Sequence, residues 1–251
     1  MGLATAGMKT RHPASLRALS ALAVLSGSVI LAGAAQQPAP ARSPAATLMR
    51  PSSASKSADA AGFLQRWVLL EPIRVAPQLT EAAVQAVVKK EYFPNQFSVV
   101  PHDGDVMTVG EESLTWHAVD TIAYNVNLFH FAYARNKPTS NVLFWAVTVV
   151  HAPQNMPNVR LAIGSNAASI WWLNGQEVIG IYNDRQTVID DGVSKRLTLN
   201  KGPNVIRAAI VNAGGATDFC ARFLDANDNP VKGMVVSLEA SGRPAPPKAH
   251  R

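Results

Sequence analysis

One cysteine, Cys220, stands in the 251 residues, so no intramolecular disulfide can form. A folded region of roughly 180 residues does not need one, because its core alone can hold it together. Cys220 lies in the run Asp218-Phe219-Cys220-Ala221-Arg222-Phe223 and reads as a small buried hydrophobe. Catalytic signatures are also missing. Beyond the N-terminal segment there is no G-x-S-x-G, and Gly164-Ser165-Asn166 is the nearest fragment. There is no H-E-x-x-H, no phosphate loop and no G-x-G-x-x-G. His102, His117, His130, His151 and His250 are scattered singly, which suits structural roles. Charge is sparse and badly placed for a polyanion partner. Residues 61–241 hold 14 basic and 16 acidic residues, a net charge of −2, and the excess basicity sits in the flanks. Nucleic-acid binding needs a basic face on the fold itself, so this class is excluded.

The flanks have their own signatures. Lys9, Arg11 and Arg17 precede an apolar run from Ala18 to Ala35 that ends in Ala32-Gly33-Ala34. This is the pattern of a cleaved signal peptide over residues 1–35. It implies a periplasmic or secreted protein with no membrane attachment after cleavage. Residues 36–60 are rich in Pro, Ala and Ser, lack apolar periodicity and read as a disordered linker. Residues 242–251 read as a disordered tail.

Between them, residues 61–241 carry the pattern of one mostly β domain. Val84, Val87, Val88 and Tyr92 recur at helical spacing between Thr80, a plausible N-cap, and Pro94, which ends the run. That predicts one helix near the start of the domain. Strand signals dominate elsewhere: 63–70, Trp116 and 121–126, 128–134, 142–150, 159–163, 169–173, 176–181, 196–199, 205–212, 218–224 and 231–239. The run Val142–Val150 is apolar throughout, as for a strand buried on both faces. Asn174-Gly175 between two apolar runs is a strong hairpin signal, since both central residues of a type I′ turn need positive φ. The predicted fold is an antiparallel, jelly-roll-like β-sandwich.

Two sets of residues are candidates for a site. Five tryptophans lie in the domain: Trp67, Trp116, Trp145, Trp171 and Trp172. Neighbours on a strand face opposite ways, so Trp171 and Trp172 cannot share one face. An exposed ring stacks on the apolar face of a sugar. Trp116 and Trp172 are therefore the expected stacking residues, with Asn174, Asp184, Arg185 and Asp191 bonding hydroxyls. The alternative is that both adjacent rings are buried, one between the sheets and one under a covering strand. Asp103-Gly104-Asp105 and Asp190-Asp191-Gly192 are oxygen-rich turns, which suit either a structural Ca²⁺, with Asp103 and Asp105 as ligands, or an ordinary turn.

The stretches GSNAASIWWLNGQEV (164–178), LTLNKGPNVIRAAIVN (197–212) and DFCARFLDANDNPV (218–231), with FLQRWVLLEPI (63–73), resemble the galactose-binding-like β-sandwich. They are similar to modules associated with bacterial acetylxylan esterases. The resemblance implies an exported, non-catalytic module that binds polysaccharide or oligosaccharide in xylan degradation, beside a partner enzyme. It carries over no catalytic residue, because the chain has no room for a separate hydrolase domain. The alternatives are an acetylxylan-esterase-type hydrolase, for which Ser165 and His117 are candidates, and a module that docks a partner by protein contacts.

Overall fold

The computed structural model describes residues 48–239. The expected signal peptide, the first part of the expected linker and the expected C-terminal tail lie outside the described residues. In chain order the strands begin with β1 (Leu48–Met49), β2 (Ser55–Ser57), β3 (Arg66–Leu70) and β4 (Ile73–Arg74). Helix α1 (Glu81–Lys89) follows, then β5 (Val106–Val109), β6 (Glu112–Thr121), β7 (Val126–Asn127) and helix α2 (Leu128–Tyr133). The second half is all strand: β8 (Val142–Ala152), β9 (Met156–Asn166), β10 (Ala168–Leu173), β11 (Gln176–Ile181), β12 (Gly192–Val193), β13 (Leu197–Leu199), β14 (Gly202–Asn212), β15 (Asp218–Leu224) and β16 (Val235–Ser237).

Two antiparallel sheets form. The larger runs β1-β6-β3-β8-β14-β10-β11, and the smaller runs β12-β9-β15-β7 with β13 on β9. The fold is thus mostly β and antiparallel, as the sequence predicts. The centre of the large sheet is β8 paired with β14 over eleven residues, from Val142↔Asn212 to Ala152↔Gly202. Along β14, Ile206, Ala208 and Ile210 face the second sheet, and Ala209 and Val211 face the other way. Both directions are covered. The inner core joins the two sheets through Trp67, Phe144, Trp171, Phe219 and Phe223. The outer core joins the large sheet to α1 and the segment after it through Trp116, Trp145, Trp172, Val84, Val88 and Phe93.

The molecule therefore has three layers, and β8 is buried on both faces from Val142 to Val150. Trp171 and Trp172 do point to opposite faces, one into each core. The covering element on the outer face is a helix and loop rather than a strand. Helix α1 forms where the valine stripe predicts it, with the Thr80 hydroxyl accepting from the Ala83 amide at 3.4 Å.

Two segments differ from expectation. Residues 128–134, read as a strand, form α2. The Asn127 side chain accepts from the His130 amide at 2.8 Å, and Leu128, Phe131 and Ala132 are buried at helical spacing. Residues 48–57, expected within the linker, supply β1 on β6 and β2 on β16. Their attachment is polar, which no apolar pattern could reveal. The Arg66 guanidinium holds the Asp120 carboxylate through two 2.8 Å bonds and donates a third to the Ser53 carbonyl at 2.8 Å. Lys56 Nζ donates to the Thr121 carbonyl at 2.9 Å. Among the described residues no helix is long and apolar enough to cross a membrane.

Burial on both faces makes the two adjacent rings energetically equivalent. Trp171→Ala and Trp172→Ala are each expected to cost about 3–5 kcal/mol. Urea unfolding of the two variants checks this; a loss for Trp172→Ala below about 1 kcal/mol would show that its face is not a core.

Candidate functional site

The Asn174-Gly175 turn has φ of 51° and 83°, as a type I′ hairpin requires. It sits at one end of the sandwich, and a recess opens on each side of it. The larger, about 430 Å³, lies between the β10–β11 hairpin and the small sheet. Asn158, Asn174, Gln176, Arg196, Thr198 and Asn200 supply its polar lining, and Leu173, Val178 and Leu197 its apolar patch. The smaller, about 290 Å³, lies on the outer side, among Phe97, Ser98, Asn174, Gly175, Val205 and Arg207.

A buried side chain holds this end of the molecule in shape. Asn204 Nδ2 donates to the carbonyls of Asn200 at 2.7 Å and Gly202 at 3.0 Å. Its Oδ1 accepts from the Asn200 amide at 2.9 Å and from Asn174 Nδ2 at 3.0 Å. Asn174 Oδ1 in turn accepts from the Val205 amide at 2.8 Å. Arg196 is a strut, donating to the carbonyls of Asn158 and Asp225 at 2.9 Å each and pairing with Asp228 at 3.1 Å. The side chains of Gln176, Thr198, Asn158 and Asn200 are exposed and make no side-chain hydrogen bond to the described residues. The large groove thus offers amides and a hydroxyl beside aliphatic carbons, with its cation already paired.

Of the six residues expected to bind sugar, only Asn174 lines this groove. Trp116 is fully buried, edge-on to Phe93 in the outer core. Trp172 is 6% exposed and packs on Trp145, with ring centroids 5.7 Å apart. Neither can stack on a ligand, because the α1 layer closes the face they were expected to present. Asp184, Arg185 and Asp191 lie in the loop after β11. The six residues of β11 carry the chain about 20 Å away from the turn. There Arg185 is paired with Asp191 and Arg222 with Asp190. The loop is seated tightly on the small sheet: a Cβ on Gly164 would clash with the Val188 carbonyl oxygen.

The expected Ca²⁺ ligands close a turn instead. Asp103 Oδ1 accepts from the Ala118 amide at 2.9 Å and its Oδ2 pairs with Arg50 at 3.1 Å. Asp105 Oδ2 accepts from the His102 amide at 2.7 Å. Among the described residues no group of three or more His, Cys, Asp or Glu side chains could hold a metal ion.

The hydrolase candidates do not meet. Ser165 is buried, its hydroxyl 2.8 Å from Ser169 Oγ and 2.9 Å from the Ala167 carbonyl. His117, on β6, faces Glu71 in the link after β3, with Nε2 3.4 Å from Oε1. A serine and a histidine do meet elsewhere: His151 Nε2 lies 2.8 Å from Ser237 Oγ. That hydroxyl donates to the Glu239 carbonyl at 2.9 Å, and no carboxylate among the described residues pairs with the imidazole. Cys220 is buried, and burial pushes its thiol up to about 12, so it is inert as a nucleophile at neutral pH.

Two features escaped the sequence reading. Phe97 is the aromatic that reaches solvent at this end, 36% exposed, in the loop after α1. Arg207 is 3% exposed although it is a charge in the middle of β14. The available signal was that lone cation inside the apolar run Val205–Val211.

No protein-family model matches the chain, and no curated protein matches it. Among solved structures, the PA14 sugar-binding domain from an RTX adhesin is similar at 11% identity and a TM-score of 0.40, over 68% of this chain and 96% of that one. The PA14 domain of the antifreeze protein MpAFP is similar at 12% identity and a TM-score of 0.41, over 70% of this chain and 93% of that one. A β-glucosidase from Kluyveromyces marxianus in complex with glucose is similar at 19% identity and a TM-score of 0.32, over 44% of this chain and 14% of that one. These are partial likenesses at low identity.

The Glu71 cluster makes stability depend on pH. Burial first, then Arg135, holds the His117 imidazole below its ordinary 6.5, against the pull of Glu71 and Asp103. For Glu71, burial acts upward, but Lys137, the Thr115 amide and His117 outweigh it and hold the carboxyl below its ordinary 4.5. The unfolded chain takes up both protons more readily than the folded chain, so stability falls on acidification. The His117 part is lost as pH drops below 6.5, and the Glu71 part only below 4.5. Urea midpoints measured across that range should decline for the wild-type chain, and His117→Gln should flatten the upper part of the decline.

Proposed function

We propose that this chain is an exported, non-catalytic carbohydrate-binding module whose site is the groove beside the Asn174-Gly175 turn. The observation that carries the reading is the groove's chemistry. A sugar presents rows of hydroxyls that both donate and accept, beside C–H faces that are apolar. Gln176, Asn158 and Asn200 each offer a donor and an acceptor on one planar group, and Thr198 offers both on one oxygen. Leu173, Val178 and Leu197 match the C–H faces. Arg196 is neutralised by Asp228, so the groove favours an uncharged chain.

Xylan or its fragments are the first ligands to test, on the strength of the likeness in sequence to modules of acetylxylan esterases. In that setting the module would hold the polysaccharide for a partner enzyme, after export directed by residues 1–35. The esterase alternative lacks support at Ser165 and His117, which lie on different strands and have other partners.

Isothermal titration of the full-length chain with neutral xylo-, cello- and galacto-oligosaccharides tests the reading. Binding to at least one of them is expected, and Gln176→Ala and Thr198→Ala should each weaken it roughly three- to tenfold, as the loss of one hydrogen bond does. Absence of heat with every glycan, or affinity unmoved in the double variant, removes the groove as a sugar site.

A further inference from the structure

The recess on the outer side of the same turn has different chemistry. Arg207 lies on the outer face of β14, paired across the sheet with Trp172 on one side and Val147 on the other. Its guanidinium is buried without an acid. No carboxylate lies within salt-bridge distance of it among the described residues. One nitrogen, Nη2, donates to the Val99 carbonyl, and Nη1 has no partner at all. Burial pulls the group down to about 10, and no acid offsets that pull. It is nevertheless cationic at neutral pH.

A buried, unpaired cation is costly, and two other inward-facing arginines avoid that cost. Arg66 holds Asp120, and Arg222 holds Asp190. Arg207 differs in a second way: it lines an open recess. Phe97 forms part of that recess, and its ring is braced edge-on by Trp145 at 5.6 Å and tilted on Trp172 at 5.8 Å. The Trp145 indole N–H, on the ring that braces it, is also buried and unpartnered. A guanidinium with one unpartnered nitrogen thus lines a recess that also holds a half-exposed aromatic ring and Ser98.

We propose that this second recess is a subsite for a carboxylate-bearing sugar ring, a hexuronate, with Arg207 neutralising the carboxylate and Phe97 covering the ring face. The two recesses share Asn174, so one polysaccharide crossing the turn reaches both: neutral residues in the groove and an acidic residue or side group in the recess. The assignment of the anion to a sugar ring rests on the reading of the neighbouring groove, whereas the unpaired cation does not.

The test compares D-glucuronate, D-glucuronamide and inorganic phosphate as ligands of the full-length chain, by titration calorimetry and by amide shifts at Ser98 and Gly175. Glucuronate is expected to bind at least tenfold more tightly than its uncharged amide at low salt, a gap that narrows as salt rises. Arg207→Gln, which keeps a donor for the Val99 carbonyl and loses the charge, should collapse the gap. Phe97→Ala should weaken glucuronate and leave phosphate unchanged, and it serves in place of Arg207→Gln if that variant does not fold. Equal binding of acid and amide, a gap that survives Arg207→Gln, phosphate binding as tightly as glucuronate, or indifference to Phe97→Ala would each overturn the proposal. Absence of the acid–amide gap in the unsubstituted chain while neutral oligosaccharides still bind sinks this subsite alone. A persistent gap with no neutral binding sinks the groove alone.

Discussion

The pairing of β8 with β14 imposes the constraint from which the other features follow. It places two eleven-residue strands at the centre of a sheet that is covered on both faces. A strand in that position has no solvent side on which to place a polar residue, and β8 accordingly reads Val-Leu-Phe-Trp-Ala-Val-Thr-Val-Val. Within Val142–Val150, Thr148 is the single polar member, and its hydroxyl donates to the Arg66 carbonyl at 2.7 Å. The same constraint consumes the large aromatics. With two cores to fill, one on each side of the sheet, all five tryptophans go inside. Whatever meets a ligand must come from loops and from the ends of strands.

This explains which parts were legible in the sequence. A period of two along a strand and a positive-φ Asn-Gly pair are local properties, and they placed β10, β11 and the turn between them. A short apolar run such as Leu128–Tyr133 has no such signature, and its Asn127 cap decided for a helix. The burial of Trp116 and Trp172 was not local either. It depends on α1 returning across the outer face, a tertiary fact about residues far away in sequence. The groove is assembled from positions 158, 174–176 and 196–200, brought together only by the topology. Asn174 was singled out as a polar side chain close in sequence to the tryptophan pair. Gln176 and Thr198, exposed polar residues on strands, carried no mark at all.

Charge placement follows the same division between interior and ends. Arg66 with Asp120 fastens the segment 48–57 to the large sheet, and Arg222 with Asp190 fastens the β11–β12 loop to the small one. Each is a buried or half-buried cation that holds a carboxylate and a backbone carbonyl together, which satisfies several donors of one guanidinium. Arg207 repeats the carbonyl contact without the carboxylate, at the one place where the outer layer opens beside the hairpin turn. The inner groove, by contrast, is electrically quiet. The two sides of one turn therefore differ in charge while sharing a side chain.

The short strands at the margin have a mechanical meaning. In the pair of β2 with β16, Ser55 stands opposite Ser237, so the stretch by which the chain enters this pair and the one by which it leaves emerge side by side. Tension drawn between the stretch just before Ser55 and the stretch just after Ser237 pulls that pair apart like a zipper, one rung at a time, rather than sliding its rungs together in shear. Behind it lies a second ladder of the same kind, because β16 also pairs with β8 from Val235↔His151 to Ser237↔Val149. On the other side β1 on β6 and the Arg66 bond to Ser53 take the load first, so both ends of the described chain are tied to the large sheet itself.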